Sequence, residues 1–412
     1  MISVLVLASA LAAADPNWIV TWTGSSHGPY PAGNPVAQPD LKGILSPATG
    51  ASDQTFRLIV KPDRWGSRMR LRFTNVFGKQ PLTIDGVYAG IHKSAGALVP
   101  GTNVPVTFRS GAKSVTIAPG ELLYSDPIRI SARKDETRRL AVSFHIAGDS
   151  GPMTWHAKAI TTSYLSAPKS GSHGAEEGSD AFPHTTTSWF FLDAVEVVAP
   201  RGTPVIAAFG DSITDGTGST INGNDRWPDF LSQRLAGKAV VVNAGIGGNR
   251  VVTNAGGGGP SALERMERDL LSLPGIRTVL WMEGINDLGG NAGTTVEQVI
   301  AGYREGAARL KKRGIRVIGA TLTSAFKSTP THGTPEVDAQ RKALNAFIRN
   351  SGGVFDAVID FDAATVDPST GTLRKEFWPN SGTGGPGDGL HPNRAGYQAM
   401  ANAIDLRMLL SN

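Results

Sequence analysis

The chain has 412 residues, 40% of them hydrophobic and 18% charged, which is enough apolar material for a packed core and more length than one typical domain needs. A net charge of +5 with no basic run argues against nucleic-acid binding, and the absence of cysteine excludes disulfides, thiolate metal ligands and a cysteine nucleophile. Fifty glycines and 26 prolines, spread along the chain rather than gathered in repeats, predict many tight turns.

In chain order, Ile2 to Leu7 is a short apolar run followed by the small residues of Ala10 to Ala14. This pattern predicts a signal peptide over residues 1–14, too short to cross a membrane and lacking the positive segment that usually precedes the apolar core. The mature protein is therefore expected outside the cell or in a periplasm, with no membrane as partner.

From Trp18 to Val198 the pattern has period two. Met69, Leu71 and Phe73 alternate with Arg70, Arg72 and Thr74, and Leu140, Val142, Phe144 and Ile146 alternate with Ala141, Ser143 and His145. Such alternation puts apolar side chains on one face of a sheet, so residues 15–200 are expected to form an antiparallel β-sandwich or jelly roll. Ser166 to Ser188, rich in Ser, Gly and Thr, is expected as a long loop. Five tryptophans, Trp18, Trp22, Trp65, Trp155 and Trp189, lie in this half; they could stack on sugar faces, although filling the core or an interface accounts for most of them more simply.

After Ala199-Pro200-Arg201-Gly202 the pattern changes, and residues 201–412 read as a second domain. Buried-strand runs at Pro204 to Phe209, Ala239 to Asn243, Thr278 to Met282, Arg316 to Thr321 and Val358 to Phe361 alternate with helix candidates. The helices are expected at Trp227 to Leu235, Ser261 to Leu271, Val296 to Arg313, Pro335 to Arg349 and Arg394 to Leu409. This grammar predicts an α/β domain whose parallel sheet is covered on both faces, with functional residues in loops at the carboxyl ends of the strands.

Four such loops carry chemistry. Gly210-Asp211-Ser212 follows the first strand, where a serine at a strand-to-loop corner can expose its hydroxyl or simply cap a helix. Asn243 to Arg250 contains adjacent Gly247 and Gly248, which allow a backbone N–H to approach a ligand or merely form a turn. Glu283-Gly284-Ile285-Asn286-Asp287 offers an amide to a developing oxyanion, or an Asx turn. In Asp388-Gly389-Leu390-His391 the spacing lets a carboxylate lie beside an imidazole and orient it.

Together these blocks resemble the SGNH (GDSL) hydrolase superfamily over roughly residues 203 to 410, with Ile213 where the family name has leucine. The resemblance implies a flavodoxin-like three-layer α/β/α domain and a serine esterase. In it Ser212 is the nucleophile, His391 the base and Asp388 its orienting acid; the backbone N–H groups of Ser212 and Gly248 and the side chain of Asn286 form the oxyanion hole. No metal and no organic cofactor are implied, and His-Glu-x-x-His is absent. Asp211 and Asp287 are expected to hydrogen-bond their loops. Trp227 is expected at a helix start, with a wall of the site as its other possible place. Gly256 to Gly259 lacks the Lys and Ser/Thr of a phosphate loop and is expected as a flexible surface loop.

With its β-rich first half, the chain is similar to secreted bacterial esterases of xylan-degrading systems and to arylesterases. That similarity implies hydrolysis of short-chain acyl esters, foremost O-acetyl groups on a polysaccharide, the partner being an acylated small molecule or glycan. A broad arylesterase or short-chain lipase is the alternative within the enzyme class. A catalytically idle carbohydrate-binding surface protein is the alternative outside it.

Overall fold

The computed structural model describes residues 16–130 and 138–410, so the signal peptide expected at residues 1–14 lies outside the described residues. Two antiparallel sheets make up most of the first half. One runs in the order Trp18–Thr23, Leu192–Val198, Met69–Thr74, Leu122–Tyr124. The other is centred on Ser52–Val60, Leu140–Asp149 and Leu82–Ser94, with Ser163–Leu165 and His184–Thr186 on one side and three short strands pairing along Leu82–Ser94. The sheets meet through aromatic side chains: Phe144 stacks on Phe56 of its own sheet at 5.5 Å and takes the edge of Phe73 from the other at 5.4 Å.

The alternation puts Met69, Leu71 and Phe73 in the core as expected. The opposite face of that strand, however, is not open to water. Arg72 is fully buried, 2.5 Å from Asp193 and hydrogen-bonded to Ser272 of the second half. The loop expected at Ser166 to Ser188 ends in the strand His184–Thr186. It is pinned by the buried guanidinium of Arg57, which donates to the carbonyls of Gly178 and Glu176. Trp22, Trp155 and Trp189 are buried and Trp18 and Trp65 half-buried, so three of the five tryptophans serve the core.

The second half holds a five-stranded parallel sheet in the order Val240–Gly245, Val205–Gly210, Ile276–Met282, Arg316–Ala320, Ala357–Ile359. In chain order that is second, first, third, fourth, fifth. The order therefore reverses at the first strand, whose end at Gly210 pairs with Gly245 on one side and Met282 on the other. A crevice outside the carboxyl ends at such a reversal is where open α/β sheets bind ligands.

The helices fall into two packed groups. Trp227–Leu235 lies against Arg394–Asn402, while Val296–Lys312 lies against Pro335–Arg349 and Ala262–Met266. Three expectations are corrected. The helix expected from Ser261 to Leu271 continues past Met266 as a π-helical turn, Glu267–Leu271. The last helix divides into Arg394–Asn402 and Arg407–Leu410, because the Asp405 carboxylate accepts the N–H of Arg407 and restarts it. Phe361 leaves the last strand to open the helix Phe361–Thr365, capped by Asp360. Among the described residues no helix is long and apolar enough to cross a membrane.

The halves share one continuous apolar cluster and a dense seam. Val20 N–H donates to the Pro274 carbonyl, and the Asp63 carboxylate accepts from Val241 N–H and Ser232 Oγ. A short ribbon of Trp189–Phe190, Thr154–His156 and Gly28–Pro29 runs along this seam beside the catalytic loops.

Candidate active site

The corner that carries Ser212 is built by close packing. Gly210 ends its strand where a Cβ would come 2.1 Å from the Met282 carbonyl oxygen, so only glycine fits. Asp211 then caps the short helix Ser212–Asp215 by accepting from Ile213 N–H at 3.0 Å. Ser212 is left at the corner, 5% exposed, its Oγ donating to His391 Nε2 at 2.8 Å.

The acid–base pair comes from the segment just before helix Arg394–Asn402. One Asp388 oxygen accepts the N–H groups of Leu390 and His391, each at 2.9 Å, and the other receives His391 Nδ1–H at 2.6 Å. Partial burial opposes ionisation of this carboxyl, but the bonds and charge of His391 hold it far below the usual carboxylate range. Ser212, His391 and Asp388 thus stand in one hydrogen-bonded line, although 179 residues separate the first two.

The N–H groups of Ser212, Gly248 and Asn286 lie on these loops. Among the described residues, neither Ser212 N–H nor Gly248 N–H has an acceptor, and Gly248 holds a left-handed φ of 79° that glycine adopts without strain. Asn286 lies on the short helix Ile285–Leu288 and donates one N–H to the Asn249 carbonyl at 3.0 Å, leaving its second free. Its Oδ1 accepts from His332 Nε2 at 3.2 Å, and Nδ1 of that ring faces the hydroxyls of Thr329 and Thr331. Burial, then the nearby His391, keeps His332 below the ordinary histidine range. A neutral ring with Nε2–H fixes the amide so that nitrogen, not oxygen, is presented.

The neighbouring acids support the loops. Asp287 accepts from Val251 and Val252 N–H and Asp211 from Ile213 N–H, as expected. Burial pushes Asp287 up to about 6, Asp211 up to about 7 and Glu283 up to about 8. Arg265, fully buried, ties the site together from beneath: it donates to the carbonyls of Gly210 and Ala244, to Asn249 Oδ1 and to Asp269.

Trp227 opens the helix Trp227–Leu235 as expected and, wholly buried against Phe361 at 5.3 Å, does not take the alternative place as a wall of the site. One expectation changes here. Gly256 to Gly259 is not a free surface loop. Gly258 is buried with its carbonyl held by Asn249, and a Cβ on Gly259 would meet the His27 carbonyl oxygen at 2.5 Å. Arg265 and His332 were not singled out in the sequence; the available signals were an arginine four residues before Asp269 on a helix and a histidine in a Thr/Pro-rich loop. Among the described residues no group of three or more His, Asp or Glu side chains could hold a metal ion.

Residues 208–399 match the model of the GDSL-like lipase/acylhydrolase family. A comparison with curated proteins returns no match. Similar solved structures include a carbohydrate acetylesterase family member from Sinorhizobium meliloti, with 18% identity over 50% of this chain and 99% of that one and a TM-score of 0.40. The M. smegmatis aryl esterase has 15% identity over 49% of this chain and 96% of its own, with a TM-score of 0.39. A GDSL-like lipase from Bacteroides thetaiotaomicron has 18% identity over 52% and 90%, with a TM-score of 0.40. The carboxy-terminal half of this chain belongs to the GDSL-like lipase/acylhydrolase family, the SGNH hydrolases.

Proposed function

We propose that this protein is a serine esterase that removes short acyl groups, foremost acetyl, from a carbohydrate. The observation that carries the reading is the line from Ser212 Oγ through His391 to Asp388, with unspent N–H donors at Ser212, Gly248 and Asn286. His391 takes the serine proton as Oγ attacks the ester carbonyl, and Asp388 steadies the imidazolium. Ser212 N–H, Gly248 N–H and the free Asn286 N–H receive the oxyanion; the alcohol leaves with the His391 proton, and water then releases the acid with His391 as base. The reaction uses neither metal nor organic cofactor.

Short acyl groups are favoured by the loops around the site. The segments Gly216 to Asp225, Arg250 to Pro260 and Ser324 to Thr334 contain no α-helix, only one short 3-10 turn. Each buried acyl CH₂ gains about 0.8 kcal/mol only where apolar surface receives it. We place the mature protein outside the cell or in a periplasm, acting on an acylated small molecule or polysaccharide, with neither nucleic acid nor membrane as partner. A broad arylesterase is the second reading.

Nitrophenyl esters of increasing acyl length, assayed beside acetate release from acetylated xylan, test the proposal. Expected are a maximum at acetyl or butyryl and release of acetate from the glycan. A maximum at long chains without acetate release would leave a lipase.

A further inference from the structure

The amino-terminal half reaches the catalytic loops through two basic side chains at the end of the seam ribbon. His156 closes the strand Thr154–His156 and Lys158 follows two residues later; they are 4% and 3% exposed. His156 Nε2 lies 3.1 Å from Asp215 Oδ1, and its Nδ1 faces the Ser25 carbonyl at the same distance. The other Asp215 oxygen accepts Gly247 N–H at 2.9 Å. That bond anchors the residue immediately before Gly248, whose own N–H is free among the described residues. Full burial works against a charged Asp215, yet His156, Lys158 and Arg226 hold it below its ordinary value, so the anchor is a carboxylate.

Lys158 braces the other side. Its Nζ donates to Thr217 Oγ1 at 2.6 Å, and Thr217 N–H in turn donates to the Ser212 carbonyl at 2.9 Å. The same Nζ lies against the glycine turn, where a Cβ on Gly247 would come 2.9 Å from it and 2.5 Å from Asn34 Oδ1. One side chain of the first half therefore holds the Gly247–Gly248 turn and the other holds the Ser212 loop.

We propose that the amino-terminal half is a working part of the oxyanion hole, with His156 and Lys158 as positioning residues that fix the backbone N–H groups of Gly248 and Ser212 relative to one another. The proposal rests on the esterase reading. Two N–H groups on separate loops stabilise a developing oxyanion only if their separation is set before the reaction, and loss of one such donor costs about 100-fold to 1000-fold in kcat. Loosening an anchor misdirects the donor without removing it, so a smaller effect, about tenfold to thirtyfold in kcat, is expected.

The test uses the full chain and nitrophenyl acetate. It measures kcat and KM, the inhibition constant of an alkylboronic acid that forms a tetrahedral adduct on the serine, and the melting temperature. His156→Ala and Lys158→Met are expected to lower kcat by about tenfold or more with KM nearly unchanged. Boronate affinity should fall in proportion to kcat, and His156→Gln, which keeps an N–H for Asp215, should recover most of the loss. If either variant does not fold, Asp215→Asn carries the same expectation, because it replaces one acceptor oxygen with a donor in the same shape. Folded variants with unaltered kcat, or with kcat lost while boronate affinity is kept, overturn the proposal. A wild-type protein that cleaves no ester and takes no fluorophosphonate label overturns the esterase reading and this proposal with it. An active, labelled wild type beside unaffected variants overturns this proposal alone.

Discussion

The two halves use polar side chains in opposite ways. In the first half the interior is largely aromatic and aliphatic, and several of its buried ionisable side chains, such as Arg72, His156 and Lys158, lie at the seam and reach across it. In the second half such side chains gather inside: Asp211, Asp269, Glu283, Asp287 and Arg265 are packed beneath the carboxyl ends of the strands. Burying ionisable groups is costly, and they persist where they hold backbone in a set geometry. Here they secure the corners at which Ser212, Gly248 and Asn286 stand. On the esterase reading, the second half holds the reacting groups, while side chains of the first, His156 and Lys158, brace the loops beside them.

The sharpest way to break that division is to remove the reacting groups. Ser212→Ala and His391→Ala are each expected to lower kcat by at least about 1000-fold while the melting temperature stays near that of wild type, and Asp388→Ala should cost less. Near-full activity of folded Ser212→Ala would move the chemistry away from this corner.

Asn286→Ala should follow at about 100-fold in kcat with KM little changed, because its free N–H matters only once charge develops on the carbonyl oxygen. An effect confined to KM would make Asn286 a ground-state contact. His332→Ala should cost less again, about tenfold in kcat, since the Asn286 amide survives but can turn its oxygen toward the oxyanion. His332→Gln, which offers Nε2–H to the same Oδ1, should restore most of the rate. Equal losses in the Ala and Gln variants would reduce the His332 contact to packing.

These residues differ in how legible they were. The strands of the second half were readable because a buried parallel strand is a continuous apolar run, and the loops that follow carry Ser212, Gly248, Asn286 and the Asp388–His391 pair as local patterns. His332, Arg265, His156 and Lys158 have no local pattern. Each acts on a residue far along the chain: Arg265 on Gly210, His156 on Asp215, His332 on Asn286. Period-two alternation also misled in one respect. It says which side chains share a face, not whether that face meets water, and Arg72 meets the second half instead. The division of the last helix was likewise hidden, since Ile404 and Leu409 keep an apolar rhythm across the restart at Asp405.

The smallest effect concerns pH, to which His27 of the first half and Glu283 of the second respond with opposite sign. Burial, helped by His156, drives His27 of the first half down from 6.5 to about 3. A depressed value means that the unfolded chain takes up a proton first, so the stability His27 contributes is present above pH 6.5 and is lost as pH falls toward 3. In the second half burial raises Glu283 from 4.5 to about 8, so here the folded chain keeps its proton longer and stability is lost as pH rises from 4.5 to 8. Asp211, raised to about 7, and Asp287, raised to about 6, act in the same direction. Melting temperature should therefore pass through a maximum in mildly acidic solution. His27 contributes to the acid limb beside second-half carboxylates held low, such as Asp215 and Asp388, and Glu283 contributes to the alkaline limb, each by a few degrees. Glu283→Gln keeps an acceptor for Trp281 Nε1–H, which now bonds the carboxylate at 2.9 Å, and should flatten the alkaline limb alone. His27→Phe should flatten the acid limb alone, since a neutral ring of similar size can still pack against Trp155 at 5.9 Å. Because one apolar cluster spans both halves, a single melting transition reports both limbs, and a Glu283 substitution that changed the acid limb, or a His27 substitution that changed the alkaline one, would show the titrating group to be wrongly assigned.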